Sequence, residues 1–340
     1  MRFFYAYNLM NIAIFRTDRL GDMILTLPMC TVLRAEYPDA HITIIARKEN
    51  SVLLSRCSDA FNTVIFEEDF EKWDIWTIAG ILRKKKITMV YFPRPRFEEI
   101  CASWIARVPL RIGSAYRWYS IFLNYKVPDH RREAKFHELD YNIRLIEYYT
   151  HKKYPKQSLI SPIVHEEERK NIRSQLSSIA QKEITKFIII HPGSRGSSVD
   201  WSIDNFGLLA QELERLTDYT IVITGTAPEQ EKCLIVQSYC NKAINLCGQF
   251  SLQEIMALLK ETSLVIANST GILHLATALH TPVIGLYPND PSVSAHRWGP
   301  YSQNSKVIKP LPEKVNGGWN DDMSLITVES VVQLVKNMLE

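Results

Sequence analysis

Apolar residues in this chain come either as short unbroken runs or as stripes at helical spacing, and the two kinds alternate. Ile12-Ala-Ile-Phe15 reads as a buried strand, after which Leu20, Ile24 and Leu27 recur on one helical face until Pro28. His41-Ile-Thr-Ile-Ile-Ala46 and Met89-Val-Tyr-Phe92 predict further strands, with a helix from Trp76 to Lys85 between them. Past Tyr149 the chain turns polar, and the charged run His165–Lys182 is expected to connect two domains.

A second series follows. Strands are predicted at Phe187–His191, Thr220–Thr224, Leu264–Ala267 and Pro282–Tyr287, alternating with helices at Ile203–Leu216, Pro228–Tyr239 and Gly271–Leu279. Ser251-Leu-Gln-Glu254 is a capping box, so another helix starts there. Val328, Val331, Val332, Val335 and Met338 share a stripe behind Thr327, a terminal amphipathic helix. Strict alternation of this kind predicts an α/β chain of two doubly wound parallel-sheet domains facing a central cleft. The expected boundaries are 1–160 and 161–326, with 327–340 a helix packing back towards the first domain.

A length of 340 residues suits two domains. The apolar run Phe3–Phe15 carries Asn8 and Asn11 and leads into Arg16 and Asp18 without a small-residue cleavage site, so neither a signal peptide nor a spanning helix is expected. A cytoplasmic protein follows. The six cysteines (Cys30, Cys57, Cys101, Cys233, Cys240, Cys247) show neither zinc spacing nor disulfide density, and reduced thiols are expected.

The net charge of +3 conceals an asymmetry. From Trp76 to Lys135 there are thirteen basic residues against four acidic ones, a local +9 that leaves −6 for the remainder. Such a block implies a polyanionic partner, whether nucleic acid, anionic lipid or phosphorylated glycan, or else a solvated helix face. No nucleic-acid recognition motif accompanies it.

Four loops stand where strands hand over to helices, the place where open α/β sheets collect ligands. In Arg16-Thr-Asp-Arg-Leu-Gly-Asp22, Gly21 permits a tight turn or close approach of substrate, and Asp22 in the first helical turn either accepts a proton from an attacking hydroxyl or merely satisfies the helix dipole. His191-Pro-Gly-Ser-Arg-Gly-Ser-Ser198 offers Ser194, Arg195, Gly196 and Ser197 to a diphosphate, or is a plain flexible loop. In Thr224-Gly-Thr-Ala-Pro-Glu229, Thr226 and Glu229 either meet a ribose or base or serve the next helix. In Asn268-Ser-Thr-Gly-Ile-Leu-His274, Ser269, Thr270 and the Gly271 amide cap a helix and can hold a phosphate oxygen, while His274 is a phosphate donor or a core histidine.

Taken together, the loops resemble glycosyltransferase family 9, the heptosyltransferases. Three stretches carry the likeness: Arg16-Thr-Asp-Arg-Leu-Gly-Asp-Met-Ile-Leu-Thr-Leu-Pro28; His191-Pro-Gly-Ser194 with Trp201 and Phe206; and Asn268-Ser-Thr-Gly-Ile-Leu-His-Leu-Ala276 with Thr281-Pro-Val-Ile-Gly285. The resemblance implies a GT-B fold of two Rossmann-like domains and an inverting transfer from ADP-heptose to a lipopolysaccharide inner-core sugar, with Asp22 as base. It places Thr270, Gly271 and His274 in the donor diphosphate site and the acceptor on the N-terminal domain, with His137 near it. With the loops and the basic block read above, the expected donor site is Gly21, Ser194, Arg195, Gly196, Ser197, Thr226, Glu229, Ser269, Thr270, Gly271 and His274, and the expected acceptor site Arg94, Arg96, Arg111 and His137. The implied partners are a nucleotide-sugar and an anionic glycolipid at the inner-membrane surface, met by a monomer in peripheral membrane contact. No Asp-x-Asp metal signature occurs, and a metal-independent reaction without cofactor is expected. Two positions depart from the family pattern: Val199 stands where many members carry a lysine and Ser269 where many carry an aspartate, with Arg195 or Arg297 as the available positive charge. The alternatives are another nucleotide-sugar donor, or a nucleotide-sugar 2-epimerase.

Overall fold

The computed structural model describes residues 10–340, so the start of the apolar run Phe3–Phe15 lies outside the described residues. The chain divides into two compact units, the first ending at Ile160 and the second spanning Ser161–Glu340.

In the first unit, β1 (Asn11–Arg16), β2 (His41–Ala46), β3 (Thr63–Phe66), β4 (Met89–Phe92), β5 (Leu110–Ser114) and β6 (Tyr125–Val127) form one sheet in the order β3-β2-β1-β4-β5-β6. All pairings are parallel. Parallel neighbours need crossovers, supplied by helices such as Pro28–Glu36, Ile75–Lys84 and Phe97–Ile105. Helices on the sheet faces explain why the strands read as unbroken apolar runs: Ile12, Ala13, Ile14 and all of β4 are buried. Phe15 stacks on Phe92 at 5.2 Å and fixes the C-terminal ends of β1 and β4 side by side.

The second unit repeats the winding. Its strands β7 (Phe187–His191), β8 (Thr220–Ile223), β9 (Ile244–Asn245), β10 (Leu264–Asn268), β11 (Val283–Leu286) and β12 (Ser305–Ile308) lie in the order β12-β11-β10-β7-β8-β9, again all parallel. Each unit is thus an α/β, Rossmann-like doubly wound sheet. Strand order reverses between β1 and β4 in one and between β7 and β10 in the other, and ligands bind such sheets at the C-terminal strand ends of that switch point.

Two elements of the second unit bear on the sequence expectation. The terminal helix Val328–Leu339 does start behind Thr327, whose hydroxyl accepts from the Ser330 amide at 3.2 Å. Its stripe, however, is used up inside its own unit, where Val331 and Val335 are fully buried with Leu209 and Leu213 of helix Ile203–Leu216. Burying a valine stabilises by roughly 1.5–3 kcal/mol, so this packing within the second unit accounts for the apolar pattern. The charged run His165–Lys182 is likewise no connector. It forms helix Glu166–Ala180 of the second unit, burying Ile172 and Leu176 and pairing Arg169 and Arg173 with Glu261 of helix Leu252–Glu261. That last helix begins at the predicted capping box, with the Ser251 amide donating to Glu254 Oε2 at 2.8 Å.

Candidate functional site

Arg16 closes β1 with a side chain only 2% exposed, and it faces three carboxylates. Its Nη2 donates to Asp22 Oδ1, its Nε lies 3.1 Å from Asp18 Oδ2, and its Nη1 lies 3.9 Å from Glu138. A guanidinium can stay buried there because the surplus negative charge is met in turn: Arg94 donates to Asp18 and Arg131 to Glu138. Of these carboxylates Asp22 alone meets solvent appreciably, with 23% exposure against 4% for Asp18 and 3% for Glu138.

Asp22 sits in the first turn of the short helix Leu20–Ile24. Burial pushes its pKa up, Arg16 opposes this, and Asp18 and Glu138 add to the rise, for a net upward shift. A half-open carboxylate with a raised pKa on a rigid guanidinium can take a proton from a hydroxyl at near-neutral pH. Gly21 beside it is helical and has no positive φ, so the tight-turn reading of Gly21 does not hold. Helix Glu138–Thr150 clamps the loop from behind, since Asn142 Nδ2 donates to the Leu25 carbonyl at 3.1 Å and to Thr26 Oγ1 at 3.3 Å, and Thr26 Oγ1 donates to the Asp22 carbonyl at 2.8 Å. His137 is the N-cap of that helix, accepting from the Leu139 amide at 3.2 Å, and so holds Glu138 in place beside Arg16.

Arg94 and Arg96 leave the end of β4, at the same switch point. Arg96 Nη1 donates to Thr17 Oγ1 and to Glu67 Oε2, both at 3.2 Å, and Thr17 donates to Glu99 Oε1 at 2.9 Å. Glu99 is 1% exposed, and burial raises its pKa to about 8 against the pull of Thr17 and Arg96. Sequence reasoning missed Glu99 because an acidic residue in a first helical turn looks like ordinary dipole compensation. Arg111 does not join the group. It stands near the start of β5, at the opposite end of the strand, and donates to the carbonyls of Phe122 and Val108 at 2.7 and 2.5 Å. Its expected acceptor role gives way to bracing that strand end.

At the second switch point Asn268 ties the two loops together: its side chain accepts from the Trp201 amide at 3.0 Å and donates to the Pro192 carbonyl at 2.9 Å. Ser197 adds a bond to the Ser269 carbonyl at 2.6 Å. Ser194, Arg195, Gly196, Ser197, Ser269, Thr270 and Gly271 are therefore gathered at one edge, whereas Gly21 lies in the first unit. Arg195 and Gly196 take left-handed φ values of 52° and 71°, and the buried hydroxyls of Ser194 and Ser198 have no hydrogen-bond partner. Buried polar groups left unpaired are uncommon away from functional loops. Thr270 precedes helix Gly271–Ala278 without a side-chain capping bond, contrary to the expected hydroxyl cap, so the first-turn amides and their positive dipole end are left for an anion. His274 is buried one turn into that helix.

Glu229 turns inward. Its Oε2 accepts from the Thr226 amide at 2.9 Å and hydroxyl at 2.6 Å, and a Cβ placed on Gly193 would fall 1.9 Å from Oε1. Burial would raise its pKa, but the Thr226 bonds, nearby His191 and the Arg195 amide outweigh that and hold it below the ordinary range. Thr226 and Glu229 therefore build the wall of the Gly193 loop, a capping box and not an open ribose contact. Val199 is 46% exposed, and Arg297 lies over the Trp298 ring at 4.8 Å. Among the described residues no cluster of His, Cys, Asp or Glu is arranged to hold a metal ion, and no helix is long and apolar enough to cross a membrane.

Comparison with known proteins agrees with this layout. The family model for glycosyltransferase family 9 (heptosyltransferase) matches residues 82–316. Lipopolysaccharide heptosyltransferase 2 of Salmonella typhimurium is 24% identical over 97% of this chain and 99% of its own, a span that includes the β1 loop. The structure of E. coli ADP-heptose lps heptosyltransferase II superposes with a TM-score of 0.79 at 23% identity, covering 97% of this chain and 98% of that one. A family 9 glycosyl transferase from Veillonella parvula gives 0.79 at 21% identity, covering 97% of both chains. At such identities the structural likeness carries the fold.

Proposed function

Since the chain belongs to glycosyltransferase family 9, the heptosyltransferases, we propose that it transfers a heptose from ADP-heptose to a lipopolysaccharide inner-core sugar with inversion at the anomeric carbon. Asp22 is the general base. The acceptor hydroxyl gives its proton to Asp22 as its oxygen bonds to the anomeric carbon. The bond from that carbon to the diphosphate oxygen breaks, and ADP leaves with the electron pair. Charge developing on the diphosphate is met by the open N-terminus of helix Gly271–Ala278, the Ser194–Ser197 loop and Arg195, with no metal required. Arg94 and Arg96 beside Asp22 receive the anionic acceptor.

The observation that carries this reading is the placement of Asp22: the most open carboxylate of a charge-matched set, at the β1/β4 switch point, held by the buried Arg16. The relatives support these donor and acceptor classes, since they are named as ADP-heptose and lipopolysaccharide enzymes. The test is to incubate the protein with ADP-heptose, with and without inner-core acceptor, and to follow ADP release and the anomeric configuration of the product. Acceptor-dependent release with inversion is expected. Sugar isomerisation in the absence of acceptor would mean an epimerase. A thermal-shift panel of ADP-, UDP-, GDP- and CDP-sugars tests the donor separately, and stabilisation by UDP-sugars alone would overturn ADP-heptose.

A further inference from the structure

The first unit exposes an aromatic face that the transfer reaction leaves unexplained. The short 3-10 helix Trp118–Phe122 lies against helix Phe97–Ile105, with the Trp118 ring packed at a tilt on Phe97 at 5.1 Å and Phe122 on Trp104 at 5.3 Å. Trp118 is 69% exposed, Ile121 66% and Trp104 51%. A soluble surface gains nothing by presenting two tryptophans and an isoleucine along one ridge, and grouped apolar exposure marks an interaction surface.

Its chemistry selects the partner. Arg117 directly precedes Trp118, Arg107 hydrogen-bonds through its amide to the Trp104 carbonyl at 2.9 Å, and the Arg83 guanidinium donates to the Ile105 carbonyl at 2.7 Å. The ridge is thus bordered by arginines at both ends, with Glu98 the acidic side chain exposed on the same helix. The carboxylates that neutralise other members of the basic block, Asp18 for Arg94 and Glu67 for Arg96, have no counterpart at these three arginines among the described residues. Tryptophan favours the boundary between hydrocarbon and water, and arginines beside it favour anionic headgroups. The ridge also adjoins the proposed acceptor edge in sequence and space: Tyr119 donates to the Pro95 carbonyl at 2.9 Å, between Arg94 and Arg96.

We propose that the face formed by Trp104, Trp118 and Ile121, with Arg83, Arg107 and Arg117 at its border, seats the protein on an anionic lipid bilayer. This goes beyond the transfer reaction and does not depend on which sugar is moved, because the readout contains neither donor nor acceptor. The test is co-sedimentation of the full chain with vesicles of phosphatidylethanolamine and phosphatidylglycerol, against vesicles of phosphatidylcholine alone. Binding to the anionic vesicles, weakening with salt, is expected. The double variant Trp118→Ser/Ile121→Ser and the triple variant Arg83→Gln/Arg107→Gln/Arg117→Gln should each lose about tenfold or more in vesicle affinity while keeping the wild-type circular dichroism spectrum. Should the double variant fail to fold, the arginine triple variant carries the test alone. Undiminished vesicle binding by the variants would overturn the proposal. So would wild-type protein that ignores anionic vesicles, or a dimer in sedimentation that Trp118→Ser/Ile121→Ser dissociates, which would make the face a contact between copies.

Discussion

Arg16 donates through Nη2 to Asp22 Oδ1 from a site where the arginine is 2% exposed and the aspartate 23%. The cation is fixed by the core and the anion looks outward, so the pair directs one carboxylate to solvent while controlling its charge. Because Arg16 lowers the Asp22 pKa against burial and two neighbouring carboxylates, its removal should move that pKa further up. A base works only when ionised, so activity falls as pH drops through the Asp22 pKa. The acid limb of kcat/KM in Arg16→Lys, where the cation is kept but the fork is lost, should therefore shift to higher pH, with kcat down about 10- to 100-fold. Arg16→Gln leaves Asp22 without its cation, while Asp18 and Glu138 keep only Arg94 and Arg131, and should cost about 3–5 kcal/mol in denaturant unfolding. An unmoved acid limb in Arg16→Lys would separate Arg16 from the base.

Asp22→Asn keeps the shape of the side chain and removes the proton acceptor. Turnover should fall about 10²- to 10⁴-fold, with ADP binding by calorimetry unchanged, because the loops assigned to the diphosphate lie in the second unit. A variant with near wild-type turnover would refute Asp22 as base.

Glu99 predicts a pH dependence of stability separate from catalysis. Its pKa rises from an ordinary 4.5 to about 8 in the folded chain, chiefly through burial. A group raised on folding binds its proton more tightly in the native state. Its contribution is complete below the unfolded value and is lost as pH rises towards the folded one. Urea unfolding of the wild type should therefore weaken from about pH 5 to pH 8 through this group, at about 1.4 kcal/mol per unit of displacement at most. Glu99→Gln imitates the protonated form, so its stability should lack that decline and exceed the wild type most at pH 8 and above. Parallel profiles for the two proteins would show that Glu99 is ionised when folded.

The central strands and most helices were legible because burial on both sheet faces writes such a strand as an unbroken apolar run and a helix as a stripe. Ile203–Leu216 and Val328–Leu339 were predicted to the residue for that reason. The outer strands β3, β5, β6, β9 and β12, short or partly exposed, carry no such run and were not predicted. The partner of a stripe is a tertiary fact. The valines of the last helix announced burial without saying against which sheet. The same holds for charge. Arg94 and Arg111 are both arginines of the basic block, yet one stands beyond the end of β4 facing Asp18 and the other near the start of β5 under two carbonyls. Nothing in residue type separates them, because the difference is which end of a strand they occupy. Asp22 was singled out because it follows β1 by a few residues. Its control by Arg16, Asp18 and Glu138 was hidden by the separation in sequence between Asp22 and Glu138.

Gly193 and Glu229 give the last prediction. The carboxylate of Glu229 occupies the space a Cβ on Gly193 would need, 1.9 Å from Oε1, a contact no alanine can make. Gly193→Ala should push Glu229 off the Thr226 amide and hydroxyl and deform the loop carrying Ser194 and Arg195. ADP affinity should drop about tenfold or more, with turnover at saturating donor less affected, since Asp22 is untouched. Glu229→Ala alone should lose the capping box, costing about 1 kcal/mol of stability, and weaken ADP binding modestly. In the double variant the obstacle is gone, so the two effects should fall short of their sum by about 1 kcal/mol or more in a double-mutant cycle of ADP binding. Strict additivity would mean that the Gly193 loop and the Glu229 wall act independently, and that the glycine serves a purpose other than making room for the carboxylate.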